Sequence, residues 1–275
     1  PTRLFEAAED NFEAASDNWF VTFQEESKLP YMFSGRLPVR SKNGAQIVVN
    51  KIINYETEYI AGKWNNTATF VADNGEGGIL AFEDSSNAFI DDLVPHSFNV
   101  NKVFVSQLGK SHIKEQMVKS FNEGSLVVNY YGHGSISQWA AENIFHKSDV
   151  VNLRNDNKAP FVLTLSCING YFVHSNDEYH ALGEALVREG QKGAIVVFSG
   201  SGEAYPGPVL ALGRKLYSSL FLNNNTLSGI ITNAGLMELL SRYPYLDDHV
   251  KFYIHFGDPA TKLHYYPSLN IISSG

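Results

Sequence analysis

A single cysteine, Cys167, is all that the chain contains. A disulfide within the chain is therefore excluded, and so is a multi-cysteine metal site. Positive charge is also sparse: 21 Lys and Arg stand against 29 Asp and Glu, a formal net charge of −8, and the basic residues are scattered singly. Nucleic acid and anionic membrane surfaces, which need a basic patch, are set aside as partners. No run reaches the roughly 20 apolar residues of a membrane span, and Pro1 opens an acidic, polar stretch without the apolar core of a signal peptide. The first residue is not Met, so the chain is read as a processed or excised piece, and a missing targeting segment says nothing about where its parent resides. A G-x-S-x-G elbow, a P-loop and a dinucleotide fingerprint are missing too, because "SGSGEA" (199–204) lacks their spacing.

What is plentiful is apolar sequence: 44% of the 275 residues are hydrophobic, enough for a substantial core. From residue 67 onward short apolar runs alternate with helical periodicity. The runs "TATFVAD" (67–73), "NKVFVS" (101–106), "SLVVNYYGHG" (125–134), "APFVLTLSC" (159–167), "GAIVVFSGSG" (193–202) and "VKFYIHFGDP" (250–259) read as strands. Helices are predicted over 111–124, with Ser111 as N-cap and Gly124 as stop, over 178–190, closed by Gly190, and over 208–221 and 227–243. Continuous rather than alternating hydrophobic strands separated by helices imply an α/β fold: a mostly parallel sheet flanked by helices on both faces. The first 66 residues are less regular. "NWFVTF" (18–23) and "YMFSGRLPVR" (31–40) look like strands and 43–60 like an amphipathic helix, so 1–66 is read as a remnant or edge of an N-terminal subdomain and 67–275 as the main unit.

In open parallel sheets ligands bind beyond the carboxyl ends of the strands. Those ends carry Asp73, Gly132-His133-Gly134, Ser166-Cys167 and Ser199-Gly200-Ser201-Gly202. If the strands that end in His133 and Cys167 are neighbours, roughly 5 Å apart, their side chains can meet across one cleft. A thiolate is the nucleophile such a pair supplies, and the imidazole either deprotonates it or protonates a leaving amine. Gly134 and Cys167 offer backbone N–H groups for a developing oxyanion. Alone, Cys167 reads as a small buried hydrophobe, Gly-His-Gly as a turn with a surface imidazole, and Asp73 as the cap of an Asn74-Gly75 turn. Joint placement on consecutive strand ends favours the chemical reading. His174, Asp177, Glu178 and His180 match no firm metal-ligand spacing and are read as a solvated loop. The sequons at Asn65 and Asn224 matter only in a eukaryotic secretory context.

The series "NYYGHGSISQW", "SCINGYF", "ALGEALVREGQKGAIVVFSGSGEAY" and "HFGDPATKL", with "SGRLPVRSKNGAQIVVNKIINYE" ahead of them, resembles the gingipain-type cysteine peptidases of the caspase-like clan over nearly the whole chain. The resemblance implies a caspase-like three-layer fold in which 67–275 is the catalytic part. It further implies Cys167 as nucleophile, His133 as general acid, and the amides of Gly134 and Cys167 as oxyanion hole. An acidic residue near the histidine corresponds to Asp73 in first place and Glu76 in second. Tyr205 falls where gingipains carry a tryptophan lining the substrate pocket, with Glu203 beside it. No catalytic cofactor is implied, although a structural calcium ion is allowed for. The expected partners are a polypeptide substrate and the missing N-terminal part of the parent protein, since the family carries additional strands before "GRLPVR". The expected location is extracellular, cell-surface or periplasmic. Two other functions fit the same scaffold: a sorting or transpeptidase enzyme of a bacterial secretion system, and a catalytically silent binding module.

Overall fold

The computed structural model describes residues 2–7, 12–23, 28–75, 82–174 and 176–266. At the front, β1 (Arg3–Ala7) and β2 (Phe12–Ser16) form a separate antiparallel pair. Then follow α1 (Lys42–Thr57), β3 (Thr67–Ala72), α2 (Phe82–Leu93), β4 (Asn99–Phe104), the single turn α3 (Val105–Leu108) and α4 (Lys110–Glu123). The chain continues through β5 (Val127–Tyr131), a short hairpin β6 (Gln138–Trp139) and β7 (Phe145–His146), β8 (Phe161–Leu165), α5 (Leu182–Arg188) and β9 (Val196–Gly200). It closes with α6 (Pro206–Tyr217), α7 (Ser228–Arg242), α8 (Asp247–Phe252) and β10 (Tyr253–Phe256).

Six strands form the central sheet in the order β10-β9-β8-β5-β3-β4, all parallel except β10, which runs antiparallel to β9. The four inner strands β9, β8, β5 and β3 are buried along their whole length, which is why they read as unbroken apolar runs. Alternate side chains leave opposite faces. Phe70, Tyr131, Leu163 and Phe198 pack with Phe89 of α2, Leu212 of α6 and Leu236 of α7. Val71, Val128, Val162 and Val197 pack with Val48 of α1, Ile113 and Met117 of α4 and Leu186 of α5. The three-layer arrangement expected from the sequence is thus present.

Several local expectations give way. "NWFVTF" is no strand: Asn18–Val21 is a 3-10 turn, held because the Asn18 carboxamide donates to Val250 O (2.6 Å) and Thr22 Oγ1 to Asn18 O (2.8 Å). Residues 31–40 contribute one isolated bridge, Arg36 to Phe256. Gly109, not Ser111, caps α4, and the α-helix within 178–190 is only Leu182–Arg188, preceded by a 3-10 turn at Asp177–Tyr179. Residues 250–252 are the end of α8, so the last strand starts at Tyr253. Between β5 and β8 the connection holds the β6–β7 hairpin and a 3-10 turn (Lys147–Asn152) instead of an α-helix. Gly124 does stop α4, with φ at +92°, where a side chain would be strained.

The front of the chain is tied into this body. Lys51 of α1 is buried, and its Nζ donates to the carbonyls of Val187 (2.8 Å), Ala194 (3.3 Å) and Leu186 (3.4 Å). Ser201 Oγ accepts from Ala15 N–H (3.1 Å) and donates to Ala15 O (2.7 Å), so β2 is fastened to the turn after β9. The Asn65 sequon is inside the fold, its carboxamide bonded to Gly62 N–H and His264 O, whereas Asn224 is on an exposed turn. Among the described residues no helix is long and apolar enough to cross a membrane.

Candidate active site

Because β3, β5, β8 and β9 lie side by side and parallel, their carboxyl ends share one edge. The pairing Ala72–Tyr131–Leu165 runs up to that edge, and Asp73 N–H still donates to Tyr131 O (3.1 Å) and Gly132 N–H to Leu165 O (3.4 Å). The chains then leave the sheet as loops, bringing Asp73, His133, Gly134 and Cys167 into one neighbourhood.

The two glycines around His133 serve close approach. Neither has a positive φ; instead a Cβ on Gly132 would collide with Asp73 Cβ and stand 2.6 Å from Tyr130 Oη. A Cβ on Gly134 would stand 2.6 Å from Cys167 O, 2.8 Å from Ser166 Oγ and 2.9 Å from Asn169 Oδ1. The backbone just after His133 therefore rests directly on the Cys167 turn. His133 is exposed to solvent, its ring edge-on to buried Phe82 at 5.4 Å between centroids. Its carbonyl accepts from Ala140 N–H (2.8 Å) and from Tyr130 Oη, so two groups fix the peptide from which the imidazole projects. Gly134 pairs with Trp139, but that bridge uses the N–H groups of Ser135 and Ala140, which leaves the Gly134 amide outside the ladder.

Cys167 is partly exposed at the end of β8. Ile168 takes φ +45°, a left-handed conformation unfavourable for a β-branched residue, and its N–H is held by Gly202 O (3.1 Å). Asn169 N–H donates to Cys167 O (2.7 Å) and Gly170 N–H to Gly200 O (2.8 Å), which curls the chain tightly around the thiol. Cys167 Sγ lies 3.5 Å from Ala204 N and 3.8 Å from Ala204 O. The amide can donate to a thiolate and the carbonyl can accept from a thiol, so this one residue meets both protonation states.

Asp73 is buried, with Oδ2 accepting from His133 N–H (3.2 Å) and Oδ1 from Asn74 N–H (2.8 Å). It is therefore placed next to His133, although the bond is to the backbone and not to the ring. Burial pushes its carboxyl above the usual range, against the pull of those two amides, while Glu142 nearby adds to the rise. Glu76, the second acidic candidate, lies outside the described residues. Tyr205 and Glu203 flank Ala204 and hence the thiol. The Tyr205 ring stacks on buried His249 at 5.4 Å, whereas Glu203 is solvent-exposed.

The loop of His174 to His180 is built from ion pairs: Asp177 meets Arg188 at 2.7 Å and Arg40 at 3.3 Å. Among the described residues no group of three or more His, Cys, Asp or Glu side chains is placed to hold a metal ion. Three contributors to the site carry no local signal in the sequence: Phe82, Tyr130 and Ala204. A fourth, Asn169, is visible in the Cys-x-Asn-Gly motif without its role being apparent.

The chain matches gingipain R2 of Porphyromonas gingivalis at 26% identity over 249 residues, 83% of this chain and 32% of that protein. It matches gingipain R1 of Porphyromonas gingivalis at the same identity over 83% of this chain and 24% of that protein. It thus spans about a third or less of the length of these curated relatives. Among solved structures it superposes on the Arg-specific cysteine proteinase gingipain R with a TM-score of 0.82 at 22% identity, covering 96% of this chain and 61% of that one. A complex of Porphyromonas gingivalis RgpB pro- and mature domains gives 0.79 at 20% identity, covering 90% and 60%. These likenesses show a shared fold. The family described as peptidase family C25 matches residues 1–264, and the chain belongs to it.

Proposed function

We propose that the chain is a cysteine endopeptidase that cleaves peptide bonds through a thioester acyl-enzyme. The observation that carries this reading is the seating of the His133–Gly134 backbone on the Cys167 turn at the shared edge of the parallel strands. In this reaction the Cys167 thiolate attacks the scissile carbonyl carbon. The C–N bond then breaks as His133 gives a proton to the leaving amine. The amides of Gly134 and Cys167 face the oxyanion of the tetrahedral intermediate. Water next attacks the thioester, the C–S bond breaks, and the thiolate returns with the release of a carboxylic acid.

Asp73 positions His133 through its backbone N–H. The Tyr205 ring, backed by His249, is a fixed aromatic wall for the substrate, and Glu203 stands at the solvated rim, where its carboxylate is weak as a determinant of a basic side chain. No step calls on a cofactor, and a structural calcium ion would act outside this chemistry. A polypeptide is the substrate. The parent protein's N-terminal part is the second proposed partner, supported by exposed Trp19, Phe23, Tyr31, Met32 and Phe33 within residues 1–66 and by the pro- and mature-domain complex of the similar RgpB. An extracellular, cell-surface or periplasmic location rests on the likeness to gingipains.

The test is Cys167→Ala, measured by hydrolysis of an unstructured protein and by alkylation with iodoacetamide. The substitution should abolish both while far-UV circular dichroism and the thermal midpoint stay close to wild type. Unchanged turnover in that variant would overturn the proposal.

A further inference from the structure

Asn169 is fully buried, and every polar group it has is used. Its backbone N–H donates to Cys167 O (2.7 Å) and its carbonyl accepts from Gly183 N–H (3.1 Å). Its side-chain Oδ1 accepts from Ser166 Oγ (2.5 Å), while Nδ2 donates to Gln138 O (3.1 Å) and to Ser135 O. The Oδ1 side of the carboxamide thus holds the residue before Cys167, and the Nδ2 side holds the loop that follows His133 and Gly134. The same Gln138 carbonyl accepts Ser135 N–H (3.0 Å), so the carboxamide closes that loop at both ends. Two N–H hydrogens facing two carbonyls, and a carbonyl facing a hydroxyl, is a pattern that no other side chain of this size satisfies.

We propose that Asn169 is the positioning residue of the site, its carboxamide setting the separation between the Cys167 turn and the His133–Gly134 loop. This rests on the peptidase reading above. Asp73 holds the His133 backbone N–H and Tyr130 Oη donates to the His133 carbonyl, both on the His133 side, whereas the Asn169 carboxamide bonds to Ser166 on one side and to Ser135 and Gln138 on the other. A loop freed by even an ångström moves the Gly134 amide away from the oxyanion and the imidazole away from the leaving amine, and misplacement on that scale costs about 100-fold in rate. Ground-state binding of a polypeptide, spread over the surrounding surface, is affected much less.

Asn169→Asp keeps the shape but turns a carboxylate oxygen toward the Ser135 and Gln138 carbonyls. Asn169→Ala removes the clamp altogether. Ser166→Ala leaves both Nδ2 bonds in place. Measured against wild type, the two Asn169 variants should lose about 30- to 100-fold in kcat with KM within about twofold. The pH midpoint of Cys167 alkylation by iodoacetamide should move toward the ordinary thiol value of about 8.5, because a displaced imidazolium no longer stabilises the thiolate. Ser166→Ala should lose less than about fivefold in kcat. The alkylation midpoint separates positioning from mere support of the fold, since a variant that only unfolds more easily keeps that midpoint in its folded fraction. Asn169 variants with a wild-type midpoint and kcat per folded molecule would overturn the proposal and leave the peptidase reading intact. A wild-type chain without hydrolysis, with a midpoint already at the free-thiol value, would overturn both.

Discussion

At the scale of the residue, Asp73 shows most directly how burial and function oppose each other. Its carboxylate accepts two backbone N–H groups, from His133 and Asn74, in a site that excludes water. Burial raises its pKa. A carboxyl raised in this way contributes stability that is fully present below its ordinary value and is lost as pH rises through the raised one. Once ionised, the side chain therefore costs the fold something, and a neutral isostere avoids that cost. The unfolding free energy of Asp73→Asn relative to wild type should accordingly rise as pH increases from the ordinary carboxylate range through the raised one, read from urea midpoints at each pH. Its hydrolysis should fall by about tenfold or more, because the His133 peptide loses a charged acceptor. A stability difference that shrinks as pH rises would contradict this account.

At the scale of the element, α5 is a short helix with both ends engaged in tertiary bonds. At its start, Leu182 N–H reaches Ile136 O (2.8 Å) and Gly183 N–H reaches Asn169 O, which links the helix to the two loops of the site. Near its end, Lys51 from α1 collects the carbonyls of Leu186 and Val187 together with that of Ala194 ahead of β9. This is a substitute for the hydrogen bonds that the last turn of any helix leaves unmade. Lys51→Met would take this donor from the Val187 and Ala194 oxygens, while Leu186 O keeps Ala194 N–H (2.8 Å), at a cost of about 1–3 kcal/mol. Burial lowers the Lys51 pKa from 10.5 to about 7, with the Glu189 charge opposing. A lysine depressed in this way contributes stability that is present above 10.5 and is lost as pH falls toward about 7. Chemical denaturation of wild type should thus show unfolding free energy climbing between pH 7 and pH 10 by an amount missing from Lys51→Met. Parallel curves for the two proteins would refute that.

Much of this element layer is legible in the sequence. The inner strands announce themselves because both of their faces are covered, and Cys167 and His133 are recognisable because each follows such a run at the point where a parallel sheet gathers ligands. The elements that escape are those defined by distant partners. The β1–β2 pair has no periodicity of its own to distinguish it from a loop, and "NWFVTF" has the composition of a strand but lacks a neighbour to pair with. Asn169 is visible in its motif, yet its task is done on residues 135–138, and no local pattern encodes a contact made after the chain has gone out through a hairpin and returned. Phe82 meets the His133 ring from the first turn of α2 for the same reason.

At the scale of the whole molecule, contacts between residues far apart in sequence tie the front of the chain to the segments beside the site. The Arg36 guanidinium pairs with Asp17, and the Arg36 backbone bonds with His255 O (2.8 Å) and Gly257 N–H (2.9 Å) at the edge strand β10. Asn18 reaches Val250, and Ala15 is held on both its N–H and its carbonyl by Ser201. Ser201 immediately precedes Gly202, whose carbonyl restrains the left-handed Ile168 beside Cys167. The N-terminal hairpin is thereby two residues of backbone removed from the Cys167 turn, and a loss of its anchorage should be felt there. Ser201→Ala leaves the Ala15 N–H and carbonyl buried without that partner, at a cost of about 1–3 kcal/mol. The expected signature is local: in hydrogen exchange the amides of Ala15 and Ile168 should lose protection together, whereas those of β3 and β4, at the other side of the sheet, should not change. Protection lost at Ala15 alone would mean that the front of the chain sits on the central sheet without bracing the Cys167 turn.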